Sequence, residues 1–147
     1  MIKFGTGGWR AVIGDEFTFS NVRRVAQAAA LYLKEIKQAH KPVVIGHDLR
    51  FLSGRFSRAI AEILVHNGIP VWFIEQVVPT PMLMYAVEQE RLALGLMVTA
   101  SHNPSEYNGI KVIVEGGKDA PVEVTNRLEE LCKLVPPLQA PPLTFFD

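Results

Sequence analysis

The segment Ser101-His102-Asn103-Pro104 has the clearest chemical potential in this sequence. Proline stiffens the exit from a turn, so we expect the serine hydroxyl to face solvent where a strand ends. A hydroxyl in that position can carry a phosphoryl group, whose charge of about −1.5 to −2 near neutral pH requires cationic and metal partners. The segment therefore predicts a phosphate site at Ser101.

Two basic residues are candidates for the cations of that site. Lys111 follows the serine loop, and a hairpin between them would return its ammonium to the base of the loop, where it can neutralise a transferring group or move a proton. Arg10 closes the glycine-rich segment Phe4-Gly5-Thr6-Gly7-Gly8-Trp9-Arg10, and its guanidinium matches phosphate oxygens in a fork. We expect both cations to converge on an anion at Ser101.

Alternating strands and helices must position these residues. Short β-branched or apolar runs predict strands at 43–46, 71–74, 94–98 and 110–114, and the glycine-rich segment before Arg10 reads as a flexible loop. Periodic apolar residues predict a helix over 21–38 with Thr18 or Ser20 as its cap. Further helices are expected after caps at Ser53 and Thr80 and around Leu128.

These elements predict an α/β fold. Strands that alternate with helices of ten or more residues indicate a three-layer α/β/α sandwich with a four-stranded, mixed, mainly parallel sheet. Only the link 99–109 is too short for a crossover, so the last strand is expected to be antiparallel. Ligands of such sheets bind at the carboxyl ends of the strands, where the loop containing Ser101 falls.

Length and composition indicate one domain. The 147 residues are 48% hydrophobic, which suits a single core. We assign 1–135 to that domain and the proline-rich stretch 136–147 to a linker toward later domains, so we expect the chain to be a fragment.

Charge and cysteine content narrow the function classes. Fifteen basic and fifteen acidic residues cancel, which disfavours nucleic-acid and membrane-surface partners. The longest apolar stretch, 92–98, is far shorter than the roughly 20 residues that cross a bilayer. One cysteine, Cys132, and no secretory signal at the start favour the cytoplasm.

The serine segment also resembles a known family. Thr99-Ala100-Ser101-His102-Asn103-Pro104, followed by Tyr107-Asn108-Gly109-Ile110-Lys111, is similar to the active-serine segment of the alpha-D-phosphohexomutases, which include phosphoglucomutase and phosphomannomutase. The similarity extends, in the family's order, to the segment from Phe4 to Arg10, to Asp48-Leu49-Arg50 with Ser53, and to Pro79-Thr80-Pro81. Four ordered motifs make the resemblance specific and extend it over essentially the whole chain.

The resemblance implies a reaction and a set of roles. Phosphorylated Ser101 would donate its group to a hexose phosphate (glucose or mannose 1- or 6-phosphate), and the other phosphate of the resulting bisphosphate would return to the serine. Mg²⁺ would bridge the phosphoserine and an aspartate-rich loop, so Ser101 supplies one metal ligand and the remaining ligands are absent from this chain. The catalytic residues would be Ser101, Lys111, Arg10 and His102, and the phosphate-binding or loop-bracing residues would be Thr6, Gly7, Asn103, Asp48 and Arg50. Gly7 departs from the pattern, because many relatives carry serine or aspartate there.

Other interpretations stay open. A phosphoglucosamine mutase domain is the nearest alternative, and a non-catalytic phosphate-binding or assembly module is the alternative of another class. Asp48 with Arg50 can also be an ordinary surface pair, and His102 can be scaffolding. A serine hydrolase is disfavoured, because no Gly-x-Ser-x-Gly elbow occurs. We expect the chain alone to have no mutase turnover.

Overall fold

The structure, a computed structural model, describes residues 1–136 and 138. Within them lie four helices: α1 (Phe19–Glu35), α2 (Ser53–His66), α3 (Thr80–Gln89) and α4 (Val122–Leu134). The strands are β1 (Gly8–Val12), β2 (Val43–His47), β3 (Val71–Phe73), β4 (Leu94–Val98), β5 (Tyr107–Val114) and β6 (Lys118–Asp119).

All six strands belong to one mixed sheet. Its order is β1-β5-β4-β2-β3, and β6 pairs with β5. β2 pairs in parallel with β3 and β4, whereas β4 and β5 form the antiparallel hairpin predicted from the short link. The predicted α/β/α sandwich is confirmed. The described part of the sheet has six strands rather than four, and both additional strands, β1 and β6, are antiparallel to β5.

The two faces of the sheet carry different helices. Val43 and Ile45 of β2 belong to the large core that includes α1, α2 and α4. Val44, between them in sequence, packs with Leu83 and Val87 of α3 on the opposite face. This alternation follows from the two-residue period of a strand. The apolar run of β2 is thus explained by burial on both faces.

Two glycines let α3 approach the sheet closely. A Cβ atom at Gly46 would lie 2.8 Å from Cδ1 of Leu83, and one at Gly95 would lie 2.6 Å from Cγ2 of Val87. Real Cβ atoms do not approach neighbours so closely, so these positions exclude larger residues unless α3 moves.

The glycine-rich segment before Arg10, predicted as a flexible loop, ends in strand β1. The residues of β1 pair with β5 from Gly8 opposite Lys111 to Val12 opposite Tyr107. Trp9 is buried, and a Cβ atom at Gly8 would clash with the carbonyl oxygen of Ile110. The loop prediction failed there because pairing with a distant strand outweighs the low strand propensity of glycine.

The helix starts agree with the sequence only in part. Thr18, one of the two predicted caps, caps α1 and accepts a hydrogen bond from the Asn21 amide at 3.1 Å, whereas Ser20 lies within the helix. The helix spans Phe19–Glu35 rather than the predicted 21–38. Ser53 and Thr80 were predicted as caps, but each is the first helical residue. The cap positions are Leu52 and Pro79, and neither side chain can accept such a bond. The Ser53 hydroxyl instead donates to Asp48.

Most of the predicted linker, 136–147, lies outside the described residues, except for Pro136 and Leu138. The boundary at 135 therefore stays a prediction. None of the helices described in residues 1–136 and 138 combines the length and the apolar character that crossing a membrane requires.

Candidate functional site

Residues 99–106, the serine loop, connect β4 to β5. Ser101 is exposed at its tip and has a left-handed backbone, with φ of 51°. Its amide donates to Oγ1 of Thr99 at 3.1 Å. Few residues other than glycine adopt this conformation, and those that do are held by their surroundings. The turn presents the hydroxyl to solvent beyond the end of β4.

Arg50 holds the backbone of the serine loop from the side of β2. Its Nη2 donates to the carbonyl oxygens of Ser101 (2.8 Å) and Asn103 (2.6 Å). Its Nη1 donates to those of Pro104 (2.8 Å) and Tyr107 (3.0 Å). A planar guanidinium suits such a task because its five donors have fixed directions. Arg50 therefore contacts the loop rather than forming only a surface pair.

Asp48 and Asn108 extend this network into the interior. Oδ1 of Asp48 accepts from the Arg50 amide at 2.9 Å and from the Ser53 hydroxyl at 2.8 Å. Fully buried Asn108 donates through Nδ2 to Oγ of Ser53 at 2.9 Å, and its Oδ1 accepts from the Gly109 amide at 2.8 Å. A chain of bonds thus joins β5, the start of α2 and Arg50. The bracing residues predicted from the sequence do not include Asn108, although a polar side chain within an apolar strand is a usable signal.

Arg10 reaches the serine directly. Its Nη1 donates to Oδ1 of Asn103 at 2.9 Å, and its Nη2 lies 3.5 Å from Oγ of Ser101. Gly109 faces Arg10 on β5, and a Cβ atom there would lie 2.8 Å from Cγ of Arg10. The missing side chain at Gly109 therefore leaves room for Arg10 to lie across the sheet.

Lys111 lies on the same face as Arg10. Gly8 pairs with Lys111 and Arg10 pairs with Gly109, and residues two apart on a strand share a face. Arg10 and Lys111 line one small depression with Thr6, Gly7 and Thr99. The Lys111 ammonium, however, pairs with Oδ1 of Asp119 at 3.1 Å rather than with Ser101. The structure thus brings Arg10 to the serine oxygen, with Asn103 bonded to the same guanidinium, and leaves Lys111 held by another residue.

The remaining predicted site residues make fewer contacts. His102 and Thr6 are exposed, and no hydrogen bond or ion pair holds the His102 ring within residues 1–136 and 138. Gly7 is buried in a turn with φ of 74°. His102 thus lies on the serine loop as an exposed residue.

Two buried titratable groups lie apart from the serine. His47 donates from Nε2 to the carbonyl oxygen of Glu75 at 3.1 Å, and burial lowers its pKa, opposed by nearby Asp48. Burial raises the pKa of the Cys132 thiol to about 12, so this thiol stays protonated at neutral pH. Burial therefore favours the neutral form of both groups.

A groove of 780 Å³ runs beside the serine loop. Apolar side chains form much of it, and Asn103 and Ser105 lie at its loop side. Leu49 and Phe51, on its rim, are 86% and 69% exposed. Such exposure of large apolar side chains is typical of a surface that another structure covers.

The site does not contain the ligands of a complete metal centre. Residues 1–136 and 138 include no group of three histidine, cysteine or acidic side chains able to hold a metal ion. The Asp48 carboxylate beside the loop already accepts two hydrogen bonds and lies 3.7 Å from Nε of Arg50. A phosphoryl group on Ser101 could donate one oxygen to a metal ion. The described residues therefore fit a metal site that other residues complete, and they do not form a complete metal site by themselves.

Comparison with known proteins adds a family to this geometry. A Schizosaccharomyces pombe protein named "Probable phosphoribomutase" is 43% identical over 116 residues, which are 76% of this chain and 20% of that protein. A phosphoglucomutase of Staphylococcus haemolyticus is 36% identical over 137 residues, or 88% of this chain and 25% of the relative. The chain thus spans about a fifth to a quarter of the length of these relatives.

A solved structure and a family model agree with these relatives. The crystal structure of a phosphoglucomutase/phosphomannomutase family protein from Burkholderia thailandensis superposes with a TM-score of 0.77 at 26% identity, covering 90% of this chain and 31% of that one. The family model described as "Phosphoglucomutase/phosphomannomutase, alpha/beta/alpha domain I" matches residues 1–135. With the fold, the serine loop and the relatives in agreement, this chain belongs to the phosphoglucomutase/phosphomannomutase family.

Proposed function

We propose that this chain is the serine-bearing domain of a phosphosugar mutase that moves a phosphoryl group between the 1- and 6-positions of a hexose through Ser101. The observation that carries the proposal is the placement of the Arg10 guanidinium 3.5 Å from Oγ of Ser101 and 2.9 Å from Asn103. A fork of donors beside an exposed hydroxyl is suited to the equatorial oxygens of a transferring phosphoryl group.

The transfer follows from these groups. The bond between phosphorus and Oγ of phosphorylated Ser101 breaks while a sugar hydroxyl oxygen bonds to phosphorus. The sugar hydroxyl loses its proton, and the serine oxygen regains one. Arg10 stabilises charge on the phosphoryl oxygens, and Lys111, lining the same depression, is the second cation and a group able to carry the proton. Transfer of the other phosphate back to Ser101 repeats the step in reverse.

The other predicted residues support the loop. Arg50 and Asp48 brace its backbone, so Ser101 keeps its position while its charge changes. We assign His102, Thr6 and Gly7 to the lining of the phosphate site because of their place on the serine loop and beside the depression.

We assign Mg²⁺ as the cofactor of the whole protein. When bound it would act as a Lewis acid on the phosphoryl group. Phosphorylated Ser101 would supply one ligand, and the others would come from residues outside those described here.

The partners proposed are a hexose phosphate and further domains of the same protein. Two observations support further domains that cover this face: the matched part makes up only 20–25% of the relatives, and the groove beside the serine loop has exposed Leu49 and Phe51. The Schizosaccharomyces pombe relative makes ribose phosphate the second substrate candidate, since its name refers to that sugar.

The decisive experiment compares two serines of one loop. In the protein with its further domains, Ser101→Ala should lower mutase activity at least about a thousandfold, and Ser105→Ala should leave it within about twofold. Mass spectrometry should find phosphate on Ser101. Wild-type rates in Ser101→Ala would overturn the proposal.

Two further measurements separate the alternatives. Assays with the 1-phosphates of glucose, mannose, glucosamine and ribose identify the sugar. The 147-residue chain alone should show no turnover and only millimolar or weaker binding of these compounds, whereas tight binding without any activity of the longer protein would favour a non-catalytic binding module.

A further inference from the structure

Asp119, which no sequence motif singled out, is the residue that holds Lys111. Its Oδ1 lies 3.1 Å from the Lys111 ammonium, and the two side chains are 51% and 25% exposed. Asp119 pairs with Ile113 on β5, two residues beyond Lys111. Residues diagonal to each other on one face of a sheet interact through their side chains, so the ion pair follows from the strand register.

The register also gives the direction in which Lys111 is held. The serine loop joins the start of β5 at Tyr107, whereas Asp119 pairs near the other end of that strand. Each strand residue adds about 3.3 Å, so Asp119 draws the ammonium away from Ser101. Arg10, opposite Gly109, lies on the serine side of Lys111.

The Gly7 turn lies beside the Asp119 side chain. β1 and β6 occupy the same edge of β5, and the Val112 amide between them donates to the carbonyl oxygen of Gly7 at 2.8 Å. A Cβ atom at Gly7 would lie 3.6 Å from Cβ and 3.8 Å from Oδ1 of Asp119. The turn, the carboxylate and the ammonium therefore form one cluster beside the depression.

The ion pair between Lys111 and Asp119 is weak enough for the ammonium to exchange it for another anion, and it adds little to the stability of the fold. Ion pairs with this much solvent contact contribute only about 0.2–1 kcal/mol. A phosphoryl group on Ser101 carries about two negative charges and can compete with a single carboxylate for the ammonium. A lysine side chain can swing between the two because its charge sits on a flexible four-carbon stem.

We propose that Asp119 is a positioning residue that acts as the counter-ion of Lys111 while the site at Ser101 is empty. When an anion occupies that site, the Lys111 ammonium leaves Asp119 and contacts the anion. This inference rests on the proposed function, since it assumes that Lys111 serves that anion. Without Asp119, anion binding no longer has to break an ion pair and becomes tighter. The gain disappears when Lys111 is absent.

The test measures binding of inorganic phosphate to the 147-residue chain by NMR, following the amides of Ser101 and Gly109. Asp119→Asn should bind phosphate about threefold more tightly than wild type, within the roughly 1.4- to 5-fold range that corresponds to such an ion pair. Asp119→Glu, which keeps the charge, should bind like wild type. Glu115→Gln removes one negative charge from the same hairpin and should also bind like wild type.

A double-mutant cycle distinguishes positioning from simple charge removal. In a Lys111→Gln background, Asp119→Asn should change the phosphate affinity by less than about 1.3-fold. Carbon relaxation of the Lys111 side chain should report greater mobility in Asp119→Asn, a change that repulsion between Asp119 and phosphate alone would not produce.

Each outcome has a defined meaning. Equal or weaker phosphate binding by Asp119→Asn, or an equal gain in the Lys111→Gln background, would overturn the inference and leave the proposed function intact. Failure of the wild type and every variant to bind phosphate would instead count against the phosphate site itself, and Asp119 would lose its role with it.

Discussion

At the scale of single residues, the serine loop owes its conformation to side chains outside it. Arg50 bonds to four carbonyl oxygens of residues 101–107, and Asp48 and Asn108 brace it through Ser53. None of these side chains needs to touch a substrate to affect chemistry, because a small displacement of a reacting group can cost a large factor in rate. Loss of the bracing should therefore act through the position of Ser101.

Arg50→Lys tests this bracing. Lysine keeps the positive charge but lacks the planar fork, so we expect it to lose most of the four bonds. The free energy of unfolding should fall by about 1–3 kcal/mol, and amide hydrogen exchange at residues 101–107 should accelerate. Denaturant unfolding and exchange measured by NMR give both quantities.

Arg55→Lys is the matched control, because Arg55 lies on α2 with its guanidinium over the Phe19 ring, where another cation can substitute. It should leave exchange in the serine loop unchanged. If Arg50→Lys and Arg55→Lys behave alike, the bonds of Arg50 do not hold the loop.

At the scale of elements, the close packing of α3 on the sheet depends on two glycines. It is the helix packed on the face that also carries Lys111 and Arg10, and Gly46 and Gly95 are where it approaches β2 and β4. Close approach of a helix to a sheet leaves no volume for a methyl group, since protein interiors are as dense as crystals.

Gly95→Ala should push Val87 and Leu83 away from the sheet. The new Cβ atom would lie 2.6 Å from one and 2.9 Å from the other, so we expect a loss of about 1–3 kcal/mol in unfolding free energy. Chemical denaturation monitored by circular dichroism measures it. A Val87→Ala change should cost less in the Gly95→Ala background than alone, because it removes one of the clashing methyl groups.

Gly5→Ala provides the comparison. No atom lies within 4 Å of a Cβ atom built there, and the backbone of Gly5 does not have a positive φ. Its stability should stay within about 0.5 kcal/mol of wild type. A Gly95→Ala variant as stable as Gly5→Ala would show that α3 packs less tightly than described.

At the scale of the whole molecule, the pH dependence of stability reflects the burial of the His47 imidazole. His47 is 7% exposed, and burial is the main cause of its lowered pKa. In the unfolded chain a histidine takes up a proton below about pH 6.5, whereas the folded chain resists protonation until a lower pH. The unfolded state therefore binds more protons in that window, and stability falls as the pH falls.

The prediction concerns the pH dependence of global unfolding. Between pH 7.5 and 5.5 wild type should lose stability with a slope that, for one proton, cannot exceed about 1.4 kcal/mol per pH unit. His47→Gln should flatten this slope, whatever its effect on absolute stability. His102→Gln, at an exposed position, should keep it. Urea unfolding measured across this pH range tests the prediction. Identical slopes in wild type and His47→Gln would show that His47 is not the source of the pH dependence.

The cytoplasmic location, the absence of nucleic-acid and membrane partners and the linker 136–147 stay predictions. The 20–25% share that the chain covers of its relatives leaves the activity of the longer protein as a proposal.

The sequence by itself determined those features that neighbouring residues encode. Apolar runs located four strands, Thr18 marked the start of α1, and the short link after β4 required an antiparallel hairpin. The serine segment and its two candidate cations were also visible, because they belong to short motifs. Propensity, capping and loop length act over a few residues, so they can be read without knowing the fold.

Only the tertiary structure decided which distant residues meet. The pairing of β1 with β5 made a strand of a glycine-rich segment and brought Arg10 to Ser101, 91 positions away in the chain. The same edge of β5 placed Asp119 beside Lys111, and buried Asn108 met Ser53 across two elements. These contacts depend on strand register and on volume left free by glycines, which no local pattern specifies because they arise from pairing between remote segments.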